Sequence, residues 1–189
     1  MLAHLRPAIV LTVFFILLTG LAYPLAITGV GQLVFPAQAK GSLISENGKV
    51  IGSSLIGQNF AEPRYFWPRP SVTADAPYNA GASTGSNLGA TSANLKERVA
   101  ADVERLKAAG MPAIPADAAT ASGSGLDPHI SPEYAKAQAA RIATVRGVPE
   151  ADILALIDHE TYGRLLGIIG EPRVNVLEIN LALDERTLK

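Results

Sequence analysis

Between Arg6 and Lys40 the chain runs for 33 residues without one Asp, Glu, Lys or Arg. The densest part reads PAIVLTVFFILLTGLAYPLAITGVG from Pro7. About 20 apolar residues, each rising ~1.5 Å, cross the hydrocarbon core of a bilayer. This segment therefore predicts a transmembrane helix over 7–30, preceded by a short head, 1–6, and followed by one domain, 31–189. Pro7 suits a first helical turn, where its missing N–H costs nothing. Pro24 is expected to bend the far end, which a membrane helix tolerates. Gly20, Gly29, Gly31 and Thr19 would allow another helix to approach closely. A cleaved signal peptide is the competing reading, because Ala37-Gln38-Ala39 resembles a cleavage site. The apolar run is too long for a signal core of ~7–15 residues, and the Ala-x-Ala lies well past its dense part. The flanking charges nearly balance, with Arg6 on one side and Lys40 and Lys49 against Glu46 on the other. A six-residue head is easiest to leave in the cytoplasm, so the expectation is N-terminus in and the domain outside.

The 16 basic and 17 acidic residues give a formal net charge of −1. No basic cluster offers the local excess of Lys and Arg that nucleic-acid binding requires. The chain has no cysteine, which excludes disulfides, thiolate catalysis and Cys-ligated metals.

After the anchor, residues 41–57 read as a β-hairpin around Asn47-Gly48, a favoured two-residue turn. A loop follows over 58–92, rich in Gly, Ser, Asn and Pro. Its aromatics, Phe60, Tyr65, Phe66, Trp67 and Tyr78, argue against disorder. They serve either as a plug in the core or as a partner-binding patch, since Trp, Tyr and Arg dominate interface hot spots. A helix is expected at 94–109, from Leu95, Val99, Val103 and Leu106, with Asn94 and Glu97 as a capping box and Gly110 as its stop. Residues 111–125 read as a linker. A second helix runs from Ser131 and Pro132 to Gly147, and a third covers 150–158. Val174 to Leu183 alternates apolar and polar residues and reads as a half-buried strand. The fold class is α+β, a single N-terminal transmembrane helix followed by one mixed domain.

Three segments hold residues with catalytic potential. Ser122-Gly-Ser-Gly-Leu-Asp127-Pro-His129-Ile-Ser131 gathers the members of a hydrolytic triad, yet lacks a nucleophile elbow, and its residues are also ordinary turn and cap formers. Asp158-His159-Glu160 has no second His at metal-binding spacing, so no metal site is expected. Gly123-Ser124-Gly125 is too short to form a phosphate loop. The residues alone describe an anchored mixed domain without a catalytic centre. A stand-alone membrane-anchored hydrolase and a ligand-binding module are the alternatives.

Several segments, in order along the chain, resemble the C subunit of the Kdp potassium-transporting P-type ATPase. They are Gly52 to Gln58; Tyr65-Phe66-Trp67-Pro68-Arg69-Pro70-Ser71; Tyr78-Asn79; and Ser83-Thr84-Gly85-Ser86-Asn87-Leu88-Gly89. The most specific is Thr120-Ala-Ser122-Gly123-Ser124-Gly125-Leu-Asp127-Pro128-His129-Ile-Ser-Pro132. Gln138, Arg141 and Arg146-Gly147 follow, and Gly170 to Asn180 completes the match. Asp117-Ala118-Ala119 departs from a more apolar pattern. The resemblance implies a non-catalytic accessory subunit of a high-affinity potassium uptake complex in the bacterial plasma membrane. Its partners would be a channel-like subunit and a P-type subunit that hydrolyses ATP. The resemblance also implies a catalytic chaperone that raises the pump's ATP affinity, with Gln138 as the nucleotide contact. No cofactor of its own is expected, and ATP enters only through the complex. The aromatic segment, the Ser83–Asn87 turn and the Ser122–His129 block are the expected motif and partner surfaces. An extracytoplasmic domain would place Gln138 on the side of the membrane away from ATP.

Overall fold

A computed structural model describes residues 2–111 and 113–187, and divides the chain into two compact units meeting at Ile51 and Gly52. The first unit is dominated by a continuous apolar helix. Its parts are α1 (Leu2–Leu17), a π turn (Leu18–Ala22) and α2 (Tyr23–Val34). Ala3–Val34 holds 32 residues, none of them buried within the protein; its most apolar 18-residue stretch has mean hydropathy 2.3, and the helix is long and apolar enough to cross a membrane. At ~1.5 Å per residue it measures about 48 Å, more than the ~30 Å hydrocarbon core. It extends past the expected 7–30 at both ends, so Pro7 lies inside α1 and not in its first turn as expected.

The π turn has a local cause. Proline cannot donate to the carbonyl four residues back, and its ring crowds that carbonyl. For Pro24 that position is Gly20, within the turn, where the Tyr23 N–H bonds instead to the Leu18 carbonyl, five residues back. A short α3 (Pro36–Ala39) precedes the hairpin β1 (Leu43–Glu46) and β2 (Lys49–Ser53). Asn47 and Gly48 have φ of 50° and 78°, the paired left-handed geometry of the expected turn.

The second unit is built on a three-stranded antiparallel sheet ordered β3 (His129–Ile130), β5 (Arg173–Asn175), β4 (Thr161–Tyr162). His129 pairs with Asn175, and Thr161 with Val174. The helices are α4 (Ala93–Ala108), α5 (Ala116–Ala119), α6 (Pro132–Ala137), α7 (Ala139–Arg146), α8 (Glu150–Glu160) and α9 (Val176–Thr187). Phe66, Leu106, Tyr134, Ile142, Ile157 and Ile179 are wholly buried where these elements meet. The α+β class and the hairpin stand as expected. The 58–92 stretch is loop apart from a 3-10 turn (Ala80–Ala82).

Four local expectations are corrected. Val174–Leu183 is not a strand: β5 ends at Asn175, and α9 takes over. Asn175 Oδ1 accepts the N–H groups of Leu177 and Glu178 and so caps α9. The buried residues Val176, Ile179, Asn180 and Leu183 then fall on one helical face. The helix after Ser131 begins with the expected cap, Ser131 Oγ accepting from Tyr134 N–H at 3.0 Å, and ends at left-handed Gly147. It is broken at Gln138, however, giving α6 and α7. The Asn94–Glu97 capping box does not form, since Ser92 holds the N-cap position. The linker contains α5, whose Asp117 carboxylate accepts from the backbone N–H and hydroxyl of Ser131.

Candidate functional site

The segment Pro63–Trp67 belongs to no sheet, so its backbone groups need other partners. Side-chain amides supply them. Asn180 Oδ1 accepts from Phe66 N–H at 2.8 Å, while Asn180 Nδ2 donates to Phe66 C=O at 3.0 Å. Gln138 does the same one residue on: Oε1 accepts from Trp67 N–H at 2.7 Å, and Nε2 donates to Trp67 C=O at 3.2 Å. A primary amide carries donor and acceptor in the geometry of a peptide, so each side chain acts as a one-residue strand. Both are buried, Gln138 completely.

Two arginines of α7 complete the clamp. Arg141 donates to the carbonyls of Pro63 and Tyr65 and to Gln138 Oε1, and its guanidinium lies 3.8 Å from the centre of the Trp67 ring. Burial lowers its pKa to about 10. Arg146 donates to Arg64 C=O and pairs with Asp184 at 2.7 Å, and Asp184 also accepts from the Tyr65 hydroxyl at 2.8 Å. The aromatic segment thus divides its work. Phe66 is a core plug, whereas Trp67 is half-buried beneath Arg141. Gln138 lies under this assembly with both amide atoms committed. A nucleotide would reach it only after Trp67 is released.

The Ser122–His129 block forms a second layer of knitted loops. Ser124 C=O accepts from Thr84 N–H and the Ser83 hydroxyl, and Gly125 C=O accepts from the Ser71 hydroxyl. Gly125 has φ of 70°, and a Cβ there would sit 2.5 Å from the Thr73 methyl. A Cβ on Gly85 would lie 2.7 Å from Gly123 C=O. Ser86 is half-buried nearby, and exposed Asn87 takes a left-handed backbone. Pro128 is buried, and its carbonyl accepts from Val176 N–H. Pro70 C=O accepts from Ser122 N–H.

Asp127 joins the layers. Its Oδ2 pairs with Arg69 Nη1 at 2.9 Å, and its Oδ1 accepts from His129 N–H at 3.0 Å, with His129 Nδ1 at 3.5 Å. Burial pushes this carboxyl up, but the His129 hydrogen bonds and the Arg69 guanidinium outweigh it, so its pKa is lowered. The Tyr78 hydroxyl donates to Arg69 C=O, and burial foremost raises its pKa. This is not a hydrolytic triad. The Ser131 hydroxyl serves Asp117 and the α6 cap, and the Ser124 hydroxyl accepts from Leu126 N–H. Ser122 Oγ is buried without a hydrogen-bond partner. Asp158 and His159 also diverge, to Lys136 and Glu160.

A groove of about 500 Å³ separates the aromatic loop from α4. Phe60, Trp67, Arg69 and Tyr78 line one side, and Arg98, Asp102 and Arg105 the other. Arg69 is paired with Asp127 and Arg105 with Asp102, so two of the three lining guanidinium groups are already offset by carboxylates. Asn175 and Asn180 lie in the matched Gly170–Asn180 segment without being singled out there for a role, and Asp184 and Arg105 do not stand out in the sequence at all. The signal for the first two was a polar side chain inside an apolar run.

Asn180→Leu keeps the branched heavy-atom skeleton of the side chain and orphans both backbone groups of Phe66. At about 1–3 kcal/mol per orphaned buried group, the domain should lose about 2–6 kcal/mol. Urea unfolding followed by the fluorescence of Trp67, the one tryptophan, reads this directly; a loss below about 0.5 kcal/mol would contradict the clamp. For Asp127 the folded pKa lies below the unfolded one, so its stabilisation is present above the ordinary carboxylate range and is lost as pH falls through the folded value. Below about pH 4 the parent chain should therefore lose stability more steeply than Asp127→Asn, in acid titrations of the unfolding midpoint. Parallel curves would remove the assigned role of the Arg69–Asp127 pair.

The family model described as "K+-transporting ATPase, c chain" matches residues 5–185. A protein of Allorhizobium ampelinum named potassium-transporting ATPase KdpC subunit is 58% identical over 185 residues, covering 97% of each chain. Its namesake in Sorangium cellulosum is 55% identical over 187 residues, covering 97% of this chain and 98% of that one. The one in Caulobacter vibrioides is 58% identical over 188 residues, covering 98% and 95%. With apolar helix, clamped loop and knitted Ser122–His129 block all inside the matched region, the chain belongs to the KdpC family.

Proposed function

We propose that this chain is a non-catalytic accessory subunit of an ATP-driven potassium uptake complex, held in the bacterial plasma membrane by Ala3–Val34. The observation that carries the reading is the near full-length likeness to KdpC subunits. It is supported by how the polar side chains of the motifs are used. Gln138, Asn180, Arg141, Arg69 and Asp127 are engaged with the protein's own backbone and with one another. Such groups shape a surface and do not turn over a substrate. The partners are a channel-like subunit and the P-type subunit that hydrolyses ATP. The chain supports assembly and acts as a catalytic chaperone, raising ATP affinity through contacts within the complex. Gln138 serves as a positioning residue for Trp67. The head is cytoplasmic and the domain lies outside, which separates Gln138 from ATP.

Purification through a tag on this chain should bring down two larger membrane subunits, and failure to do so overturns the accessory reading. Gln138→Ala should lower the yield of that complex while the KM for ATP of what assembles stays unchanged. A raised KM at full subunit content would restore the nucleotide contact. Orientation is checked on the cysteine-free chain with Lys107→Cys, an exposed site on α4. A membrane-impermeant maleimide should label it in intact spheroplasts. Labelling only after permeabilisation would reverse the topology.

A further inference from the structure

β4 and β5 are neighbours in the sheet, with Tyr162 opposite Arg173, and the chain between them projects as a small hairpin. Leu165 and Ile169 form a bridge across it, and Leu166-Gly167 makes the tip, with φ of 54° and 77°. The tip exposes its apolar side chains: Leu165 67%, Leu166 83%, Ile168 77% and Ile169 57%. Soluble surfaces rarely cluster aliphatics in this way without a use. The backbone adds a second peculiarity. A two-residue turn of this geometry favours Asn or Gly at its first position, yet Leu166 occupies it with a positive φ. A strained leucine that is almost wholly exposed gains nothing from packing within its own domain.

The composition of the tip and of its base points to the occupant. The N–H groups of Leu165, Gly167, Ile168 and Ile169 all bond within the hairpin, to the carbonyls of Ile169, Arg164, Leu165 and Leu165 respectively. These bonds reduce the cost of bringing the tip into hydrocarbon, which offers no partners to a bare backbone. The tip also lacks the Trp, Tyr and Arg that anchor protein interfaces and carries only Leu, Ile and Gly. The polar and aromatic residues stand at the base. Arg164 pairs with Glu171 at 2.7 Å, and the Arg173 guanidinium lies 5.5 Å from the centre of the Tyr162 ring. Tyr and Arg beneath an aliphatic tip match the headgroup level of a membrane–water interface.

We propose that the Leu165–Ile169 hairpin inserts its tip into the bilayer, giving the domain a second membrane contact besides the N-terminal helix. The proposal rests on the reading of Ala3–Val34 as a retained anchor, and not on the direction in which it crosses.

The absence of cysteine permits a direct test on the full chain. Leu166→Cys and, separately, Ile168→Cys are labelled with nitrobenzoxadiazole and reconstituted in phosphatidylcholine–phosphatidylglycerol vesicles, with Lys107→Cys as the exposed reference. The tip labels should emit to the blue of the reference. They should also be quenched several-fold more by nitroxide-labelled lipid than by aqueous iodide, the reverse of Lys107→Cys. A chain that floats with the vesicles but leaves both tip labels open to iodide overturns the hairpin proposal and spares the anchor. A chain that does not float overturns both. Tip labels shielded only in the purified complex, and not quenched by lipid, would assign the hairpin to a partner subunit and overturn insertion. The circular dichroism of each variant, matched to the parent, shows that the comparison is made on folded protein.

Discussion

The domain depends on two side-chain amides that stand in for a missing β-strand. Asn180 on α9 and Gln138 between α6 and α7 grip the consecutive peptides of Phe66 and Trp67 from different elements. A segment buried against the core must pair its backbone, and here no neighbouring strand does so. Several features follow from that constraint. The helix after Ser131 breaks at Gln138, whose own N–H turns to Ala135 C=O three residues back. Asn180 stays polar on the buried face of α9. Arg141 and Arg146 are spaced along α7 to reach the carbonyls of the same loop. The core, the aromatic segment and the groove wall are therefore one connected construction.

Much of the organisation was legible in the sequence because local chemistry decides it. The uncharged run announces a membrane-length helix, Asn47-Gly48 a hairpin, and Ser131-Pro132 with Gly147 the limits of a helical stretch. The failures occurred where local signals were ambiguous. In Val174–Leu183 a period of two coincides over a short window with the helical set Val176, Ile179, Asn180, Leu183. The deciding residue was Asn175, which caps a helix there instead of continuing a strand. The break at Gln138 was invisible because it answers a loop 71 residues earlier in the chain.

The site was legible as a set of segments, not as a geometry. Tyr65–Ser71, Ser83–Asn87 and Ser122–His129 were singled out, and the structure brings all three against one another through Ser71, Ser83, Thr84 and Asp127. The sequence could not say that their serines would serve backbone turns and caps. Nor could it say that Phe66 and Trp67, adjacent residues, would face the core and the groove. Such assignments depend on tertiary pairing between residues far apart in sequence.

The character of the clamp has a consequence for the medium in which the domain works. Exposed ion pairs weaken as dissolved ions screen them, whereas buried or neutral contacts do so much less. Gln138 and Asn180 bind through uncharged amides, and Arg141 is held by carbonyl oxygens, an amide and the Trp67 ring. The hold on the backbone of Phe66 and Trp67 is thus nearly indifferent to ionic strength. The ion pairs of the loop, Arg69–Asp127, Arg146–Asp184 and the exposed Arg64–Glu62, are the contacts that would register a change from dilute to concentrated salt. Where the loop enters the core it is held by dipoles, and charge pairs serve only its margins.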